Sequence, residues 1–300
     1  MKSLFRAGEL SKEGWAVCAT PELEGWTHTG LRVGIVEDGS ALHLKADDNE
    51  RVVIVLEGSG LTLAYRGSED GVTNECNLGG RHSVFSGPSD MLYVPRGTEL
   101  SISGNARFLV AEALSAEDKQ ARFVSAQEVP VFVRGAGRES REVHNYGVPE
   151  TLDAGSLIVV EVLVPSGNWS GVPAHKHDEY IPEVESNLEE IYYFETASSS
   201  TEATAVTDPT GIVRVFASDS RPIDVTSEVR NGDVLLVPYG WHGPVAASPG
   251  SDLYFFNVMA GPDPVRAWNI TNHPAQDWIR ETWQHQDADP RLPFSSRGAQ

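Results

Sequence analysis

Two short segments of the chain carry side chains that could bind a metal ion. In the first, His175 and His177 are separated by one residue, and Glu190 opens an apolar stretch farther along. In the second, a Pro-Tyr-Gly turn precedes Trp241 and His242. Because side chains alternate along a strand, the paired histidines would point to the same side. Three imidazoles and one carboxylate suit a divalent transition metal with open coordination positions. The sequence therefore predicts a metal site inside a β-barrel, with the ligands His175, His177, Glu190 and His242.

These ligand types do not decide which metal is bound. Zinc is the first expectation, because imidazole and carboxylate ligands suit it. Manganese, iron(II) and nickel fit the same donors. We take Glu190 rather than Glu189 as the ligand, since Glu190 shares strand parity with Tyr192 and Phe194 and would face the barrel lumen with them. Glu189 would point away and is expected to be a solvated charge.

Strand signals recur along the whole chain. Short runs rich in Val, Ile, Tyr and Phe are bounded by Gly, Pro, Asn and Asp. This density is typical of an all-β sandwich or barrel. Helical periodicity is scarce, and we expect only short helices near residues 115–123 and 275–284.

The two halves of the chain repeat one another. The run 90–99 aligns without a gap with the run 233–242, and the strand that begins at Glu50 aligns with the strand that begins at Glu190 at almost the same offset. Two tandem copies of one β-barrel unit are the simplest explanation.

The predicted domains are residues 1–133 and 134–300, joined by a polar linker that begins at Arg134. The first copy has Glu99 where the second has His242, and no His-x-His pair precedes its strand. A pocket without three of its four ligands should not hold a metal. We therefore expect a structural, metal-free N-terminal barrel and a C-terminal barrel that carries the chemistry.

Composition narrows the possible partners and compartment. The formal net charge is −20, from 43 acidic and 23 basic residues, which repels nucleic acid and anionic membranes. No apolar run approaches the roughly 20 residues that span a bilayer. No apolar stretch follows the first residues, and only Cys18 and Cys76 are present. We therefore expect a cytoplasmic protein without a secretory signal or a disulfide framework.

The metal-ligand segments match the cupin pattern, and several further motifs occur in one order along the chain. The motifs are 78–85, 167–170, 173–178, 188–193, 237–245 and 252–261. Together they resemble the 5-deoxy-glucuronate isomerase family over nearly the whole chain, from about Trp26 to about Trp283. The resemblance implies a bicupin fold. It also implies a place in myo-inositol catabolism, with interconversion of 5-deoxy-D-glucuronate and 5-dehydro-2-deoxy-D-gluconate.

The implied reaction is an aldose–ketose isomerisation. A divalent ion would stabilise the enediolate, and a positioned base would carry the proton between carbons; a metal-promoted hydride shift is the alternative. Glu190 and Tyr192 are the candidate catalytic groups, the second as a proton donor or simply as an aromatic wall.

Three further residues are candidates for substrate binding. Arg214 lies inside an apolar strand, where a charge is costly unless it meets a polar cavity or a partner, so it could bind the substrate carboxylate. A structural ion pair or contact with solvent is the other interpretation. Asn168 and Tyr239 are candidate substrate contacts at the rim or wall of the site.

Other functions fit the same pattern. A related uronate ketol-isomerase, a metal-dependent dioxygenase and a non-enzymatic sugar-binding bicupin all use this fold. Retention of all four ligands in one barrel disfavours a storage protein. We expect a small sugar-acid substrate and a homo-oligomer.

Overall fold

The structure is a computed structural model that describes residues 2–67, 71–200, 205–218 and 221–295. Strands dominate it. In the first half they are β1 Leu4–Phe5, β2 Val17–Ala19, β3 Thr29–Val36, β4 Ala41–Leu44, β5 Asn49–Gly67, β6 Thr73–Arg81, β7 Met91–Val94, β8 Thr98–Leu114 and β9 Arg122–Val124.

The second half contains shorter strands and the helical segments. The strands are β10 Val131–Arg134, β11 Arg141–His144, β12 Ile158–Val164, β13 Trp169–Ser170, β14 His175–Lys176, β15 Asp178–Ile181, β16 Glu185–Asn187, β17 Glu189–Ser198, β18 Gly211–Ser218, β19 Arg221–Val229, β20 Val234–Val237, β21 Trp241–Ala247, β22 Ser251–Ala260 and β23 Thr271–Asn272. The helix α1 is Ile279–Thr282, and 3₁₀ turns are Val84–Ser86, Gly137–Glu139, Pro274–Gln276 and Trp283–His285.

The first barrel is one antiparallel sheet in the order β2-β3-β8-β5-β7-β9, with β4 added on β8 and β6 on β5. Its longest strands bend where the ladder is irregular, at Gly58 and Gly60 of β5. Gly58 has φ +131°, and a Cβ there would lie 2.5 Å from the Asn105 carbonyl oxygen, so only glycine fits. Beyond the bend the sheet folds back on itself, which brings Val53 and Leu63 into the same core cluster.

The second barrel has two antiparallel layers. One sheet has the order β1-β20-β17-β22-β12-β11-β10. The other has the order β19-β18-β21-β14-β23, with β13 paired to β21. Tyr192 and Phe194 lie in the core between these layers, whereas Ile191 and Tyr193 lie in the core shared with the first barrel. The strand therefore has the parity predicted from the sequence, and the all-β, cupin-like class is confirmed.

Strand pairing differs from the predicted domain boundary at both ends. Leu4–Phe5 of β1 pairs with β20 of the second barrel, although it lies within the predicted first domain 1–133. Val131–Arg134 of β10 pairs with β11, so a boundary between 133 and 134 falls inside a strand of the second sheet. The 115–123 helix is absent, while 3₁₀ turns and α1 occupy most of 275–284.

The repeat is real, but its register differs by one residue from the sequence alignment. Glu50 pairs with Ala113 next to the end of β8, and Glu189 pairs with Ala260 at the end of β22. Glu50 therefore corresponds to Glu189 rather than to Glu190. A sequence alignment of two short glutamate-led strands contains no cross-strand information that would fix this register.

Glu50 and Glu189 join the two barrels in reciprocal fashion. The Glu50 carboxylate accepts hydrogen bonds from the backbone amides of Gly155, Ser156 and Leu157 at 2.6–2.7 Å. The Glu189 carboxylate accepts amides of residues 27–29 at 2.7–3.2 Å. Each glutamate thus satisfies backbone donors that precede a strand of the other half, and Glu189 is not the solvated charge that the sequence suggested.

Candidate metal centre

Three neighbouring strands bring the predicted ligands together. His175 in β14 lies directly opposite His242 in β21, because those two residues are cross-strand partners. Glu190 lies in β17 of the facing sheet, and His177 follows β14. The turn before β21 requires Gly240, which has φ +98° and whose added Cβ would lie 2.8 Å from the Phe216 carbonyl oxygen.

The three imidazoles form one cluster, and the Glu190 carboxylate lies against two of them. His175 Nε2 and His242 Nε2 are 3.1 Å apart. Glu190 Oε2 lies 3.2 Å from His177 Nε2 and 3.2 Å from His242 Nε2. Ligand atoms bound at about 2.0–2.2 Å to one ion lie roughly 3.0–3.5 Å from one another in tetrahedral or octahedral arrangements. The donor set and its spacing therefore fit a transition metal.

Backbone carbonyls orient the three imidazoles. His177 Nδ1 lies 3.0 Å from the Leu188 carbonyl oxygen, and His242 Nδ1 lies 3.1 Å from that of Gly240. The His175 ring hydrogen-bonds to the backbone of Pro173. An Nδ1–H that donates outward leaves the Nε2 lone pair facing the site, which is the tautomer a metal ligand needs.

Burial keeps two of the rings uncharged. Desolvation and the neighbouring His177 lower the pKa of His175 to about 3. Desolvation and His175 likewise place the pKa of His242 well below its usual range. For His177, desolvation is outweighed by the hydrogen bond and charge of Glu190, which raise its pKa. Neutral imidazole is the metal-binding form, so His175 and His242 are in the protonation state that a metal ligand needs.

A buried polar network supports the strand that carries the histidines. Lys176 points away from the ligands and donates to Asp178 at 2.9 Å and to Glu185 at 2.7 Å. The other oxygen of Asp178 accepts the amide of Gly240 at 2.8 Å and the hydroxyl of Ser218 at 2.5 Å. This network ties the His-x-His strand to the turn that presents His242. The long spacer between His177 and Glu190 provides it, because its residues form the β15–β16 hairpin.

A cavity of about 340 Å³ opens beside the ligands. His175, Glu190 and Tyr192 line one part of it. Tyr192 is buried, and desolvation together with the charge of Glu190 raises its pKa well above the usual value. Its hydroxyl therefore keeps its proton at neutral pH and can act as a donor.

The three predicted substrate contacts do not line this cavity. Arg214 alternates with the buried Val213 and Val215, so its side chain is exposed on the outside of the barrel and stacks on Phe216 at 4.4 Å. A charged residue in an apolar strand indicates a polar cavity only when its side chain points into the barrel. The Arg214 side chain points outward.

Asn168 and Tyr239 also have structural partners. The amide of Asn168 is fully buried and donates to the Ser140 carbonyl and to Asp289, each at 3.0 Å. The Tyr239 hydroxyl donates to the Pro222 carbonyl at 3.2 Å. Both residues brace the outer parts of the barrel.

Several cavity residues were not identified from the sequence. Arg134 and Arg141 lie in the segment expected to be a linker, and Arg280 and Trp283 come from the C-terminal helical turns. The register of the β10–β11 hairpin, which places Arg134 opposite Arg141, was the missing information. No local motif reveals this register, because the turn between the two strands does not show which of their residues pair.

Among the residues that the structure describes, the cluster of His175, His177 and His242 is the one group of histidines, cysteines and carboxylates suited to a metal. No helix in that part of the chain is both long and apolar enough to cross a membrane.

Comparisons with known proteins agree with this architecture. The model of the KduI/IolB family matches residues 4–279. The 5-deoxy-glucuronate isomerase of Geobacillus thermodenitrificans is 37% identical over 276 residues, covering 91% of this chain and 93% of that protein. The enzyme of the same name from Geobacillus kaustophilus is 38% identical over 279 residues, with the same coverage of each chain.

Solved structures extend the comparison to the fold. The crystal structure of an IolB-like protein from Salmonella typhimurium LT2 has a TM-score of 0.80 and 32% identity, covering 93% of this chain and 99% of that one. Oxalate decarboxylase from Lactobacillus farciminis has a TM-score of 0.61 at 12% identity, covering 91% and 88%, and shares the fold alone. With a family match over nearly its whole length and relatives above 30% identity, this chain is a member of the KduI/IolB family.

Proposed function

We propose that this chain is a sugar-acid aldose–ketose isomerase that interconverts 5-deoxy-D-glucuronate and 5-dehydro-2-deoxy-D-gluconate in myo-inositol degradation. The observation that carries the proposal is the cluster of three imidazole nitrogens, with Glu190 against two of them, beside a cavity large enough for a sugar acid. Relatives with the same family membership bear the name of that enzyme.

The metal is held by His175, His177, Glu190 and His242 in this proposal, with zinc as the first expectation and manganese, iron(II) or nickel as alternatives. When bound, such an ion would stabilise negative charge on the carbonyl and neighbouring hydroxyl oxygens of the sugar. The chain contributes imidazoles whose rings are oriented by backbone carbonyls, so the ligands need no rearrangement to receive it.

Glu190 and Tyr192 are the proposed catalytic residues. Both line the cavity beside His175. The reaction moves one proton from the hydroxyl-bearing carbon to the former aldehyde carbon and another from the hydroxyl to the former aldehyde oxygen, so no atom is gained or lost overall. In this proposal Glu190 carries the carbon-bound proton, and Tyr192 donates its proton to the former aldehyde oxygen and regains one from the hydroxyl. General acid–base catalysis of this kind contributes roughly 10²–10⁴-fold.

The test is an NMR assay of purified protein with 5-deoxy-glucuronate, with elemental analysis of the same sample. Conversion to the ketose with one equivalent of a divalent metal supports the proposal. Binding of the sugar acid without conversion, in metal-loaded protein, would indicate the non-enzymatic alternative. Conversion of other uronates with no action on 5-deoxy-glucuronate would indicate the related ketol-isomerase.

Running the same assay in D₂O separates the two possible mechanisms. Proton transfer through a base exchanges with solvent, so deuterium enters the new hydroxymethyl carbon of the product. A hydride shift between the carbons would leave that position free of deuterium. Light scattering of the same preparation tests the proposed homo-oligomer.

A further inference from the structure

The cavity beside the histidines is cationic. Arg134, Arg141 and Arg280 line it, and Glu190 is its one acidic lining residue. Among the described residues none of these arginines forms an ion pair with Asp or Glu; Arg134 and Arg280 are exposed, and Arg280 donates to the Asn272 side-chain oxygen at 3.1 Å. Three arginines without a carboxylate partner give this cavity a positive charge that suits an anion.

The hairpin that carries two of these arginines is strained electrostatically. Arg134 and Arg141 lie directly opposite each other in the β10–β11 register. Like charges at such a pair of positions destabilise an antiparallel ladder. Arg141 donates to the Glu139 carbonyl at 3.2 Å, and the Glu139 carboxylate offsets only part of the repulsion. Burial, followed by the charges of Arg280 and Arg134, lowers the pKa of Arg141 to about 10.

Neutral donors on residues that line the same space have no hydrogen-bond partner. The indole Nε1 of Trp283 is buried and has no hydrogen-bond partner, and the Arg141 guanidinium lies 5.5 Å from the centre of that indole. Trp268 Nε1 is buried and unpartnered as well, and Trp268 lines the cavity. Buried donors normally have acceptors, so the cavity is built for a ligand rich in oxygen.

We propose that Arg141, together with Arg280 and the indole N–H of Trp283, binds the carboxylate of the sugar acid, and this inference rests on the proposed function. The carboxylate then lies at the arginine end of the cavity, and the carbonyl end faces the histidines. A planar guanidinium stacked on an indole and left with free N–H groups suits bidentate binding of a carboxylate. Arg134 adds charge at the rim and is not assigned a direct contact.

The inference predicts substrate selectivity. 5-Deoxy-glucose has the same aldehyde and hydroxyl groups as 5-deoxy-glucuronate but lacks the carboxylate. The Arg141→Met variant should lose about 10- to 100-fold in kcat/KM for 5-deoxy-glucuronate, mainly through KM, as expected for a hydrogen-bonded charge pair. Its kcat/KM for 5-deoxy-glucose should stay within about threefold of the wild type, and Arg141→Lys should lie between the two.

Stability gives a second, independent readout. Because Arg141 is opposed by like charge in the free protein, Arg141→Met should leave the melting temperature unchanged or raise it. A structural arginine would lower it on removal. The matched control is Arg66→Met, an exposed arginine of the first barrel paired with Glu99, which should change neither selectivity nor binding.

Calorimetric titration of the same two sugars, after the substrate has reached equilibrium with its product, separates the two proposals. Tighter binding of the carboxylate sugar that disappears in Arg141→Met supports the inference, even in a protein that does not isomerise it. Equal losses for both sugars, or unchanged selectivity with a normal fold, would overturn the inference while leaving an active isomerase intact.

Discussion

Arg51 holds in the first barrel the sheet position that Glu190 holds in the second. Arg51 pairs with Val94 on the neighbouring strand, and Glu190 pairs with Val237. Each of those valines directly precedes a Pro-x-Gly turn. Arg51 is buried and donates to Glu112 at 2.8 Å. A guanidinium therefore stands where the second barrel has the Glu190 carboxylate, which we propose as a metal ligand.

This relationship predicts one metal ion per chain. Elemental analysis of wild-type protein should give one equivalent, and Arg51→Met should leave that number unchanged because the hydrogen-bond partners of Arg51 are Glu112, Thr98 and Asp47, which do not form a metal site. His177→Ala should reduce metal content to a small fraction of one. Two equivalents in the wild type, with one retained in His177→Ala, would show that the first barrel binds metal.

Tyr192 is expected to act through its hydroxyl. The ring stacks on Phe194 with centroids 5.8 Å apart, so Tyr192→Phe preserves the packing. The variant should keep its metal and fold but lose roughly 10²-fold or more in kcat, with KM little changed, because one proton donor is missing. Steady-state kinetics with metal analysis test this. Wild-type kcat in Tyr192→Phe would make the residue a wall of the cavity only.

The hydrogen bonds that Glu50 accepts from the other barrel should contribute strongly to the free energy of unfolding. Its buried carboxylate accepts three backbone amides and the Tyr93 hydroxyl, the last at 2.6 Å. Glu50→Gln removes the charge from these hydrogen bonds and replaces an acceptor with a donor, and should cost about 2–4 kcal/mol. Denaturant unfolding measures it, with the exposed Glu24→Gln as the control. A change below about 0.5 kcal/mol would contradict the role assigned to Glu50.

The contact between the barrels should also be sensitive to acid. Arg81 of the first barrel donates to Glu161 of the second at 2.6 Å. Burial would raise the pKa of Glu161, but the charge of Arg81 and hydrogen bonds from His144 and Arg81 outweigh it and lower the pKa to about 2. The unfolded state, with an ordinary pKa, binds this proton first as the pH falls.

The stability linked to Glu161 is thus fully present above about pH 4.5 and is lost as the pH falls towards about 2, with an upper magnitude of about 3 kcal/mol. Urea unfolding at pH 6 and pH 3 should show a smaller pH-dependent loss in Glu161→Gln than in the wild type. Equal losses in both proteins would contradict this assignment.

The predictable parts of the site were local in sequence. The period-two spacing of His175 and His177, and the turn before His242, carry their own geometry. The proposed carboxylate site was not predictable, because Arg141 and Trp283 meet only through packing between segments distant in the chain. The prediction that Arg214 contacts the substrate failed for a related reason. Its strand carries apolar residues on both faces, and the sequence alone does not show which face points into the barrel.

Glu189 shows the same limit for the fold. Parity correctly turned its side chain away from the lumen, but the outward face of β17 packs on the other barrel instead of on solvent. Side-chain alternation therefore predicted on which face of the strand Glu189 lies. What covers that face depends on how the two barrels pack together.

The most direct measurement is the rate of 5-deoxy-glucuronate isomerisation as a function of metal occupancy. Protein stripped with a chelator should be inactive, and its activity should return in proportion to metal bound at up to one equivalent. Glu190→Gln and His177→Ala should fold normally, bind metal weakly and recover little activity. Full turnover by stripped protein, or by a folded His177→Ala variant without metal, would contradict the central claim that these four side chains build the reactive centre.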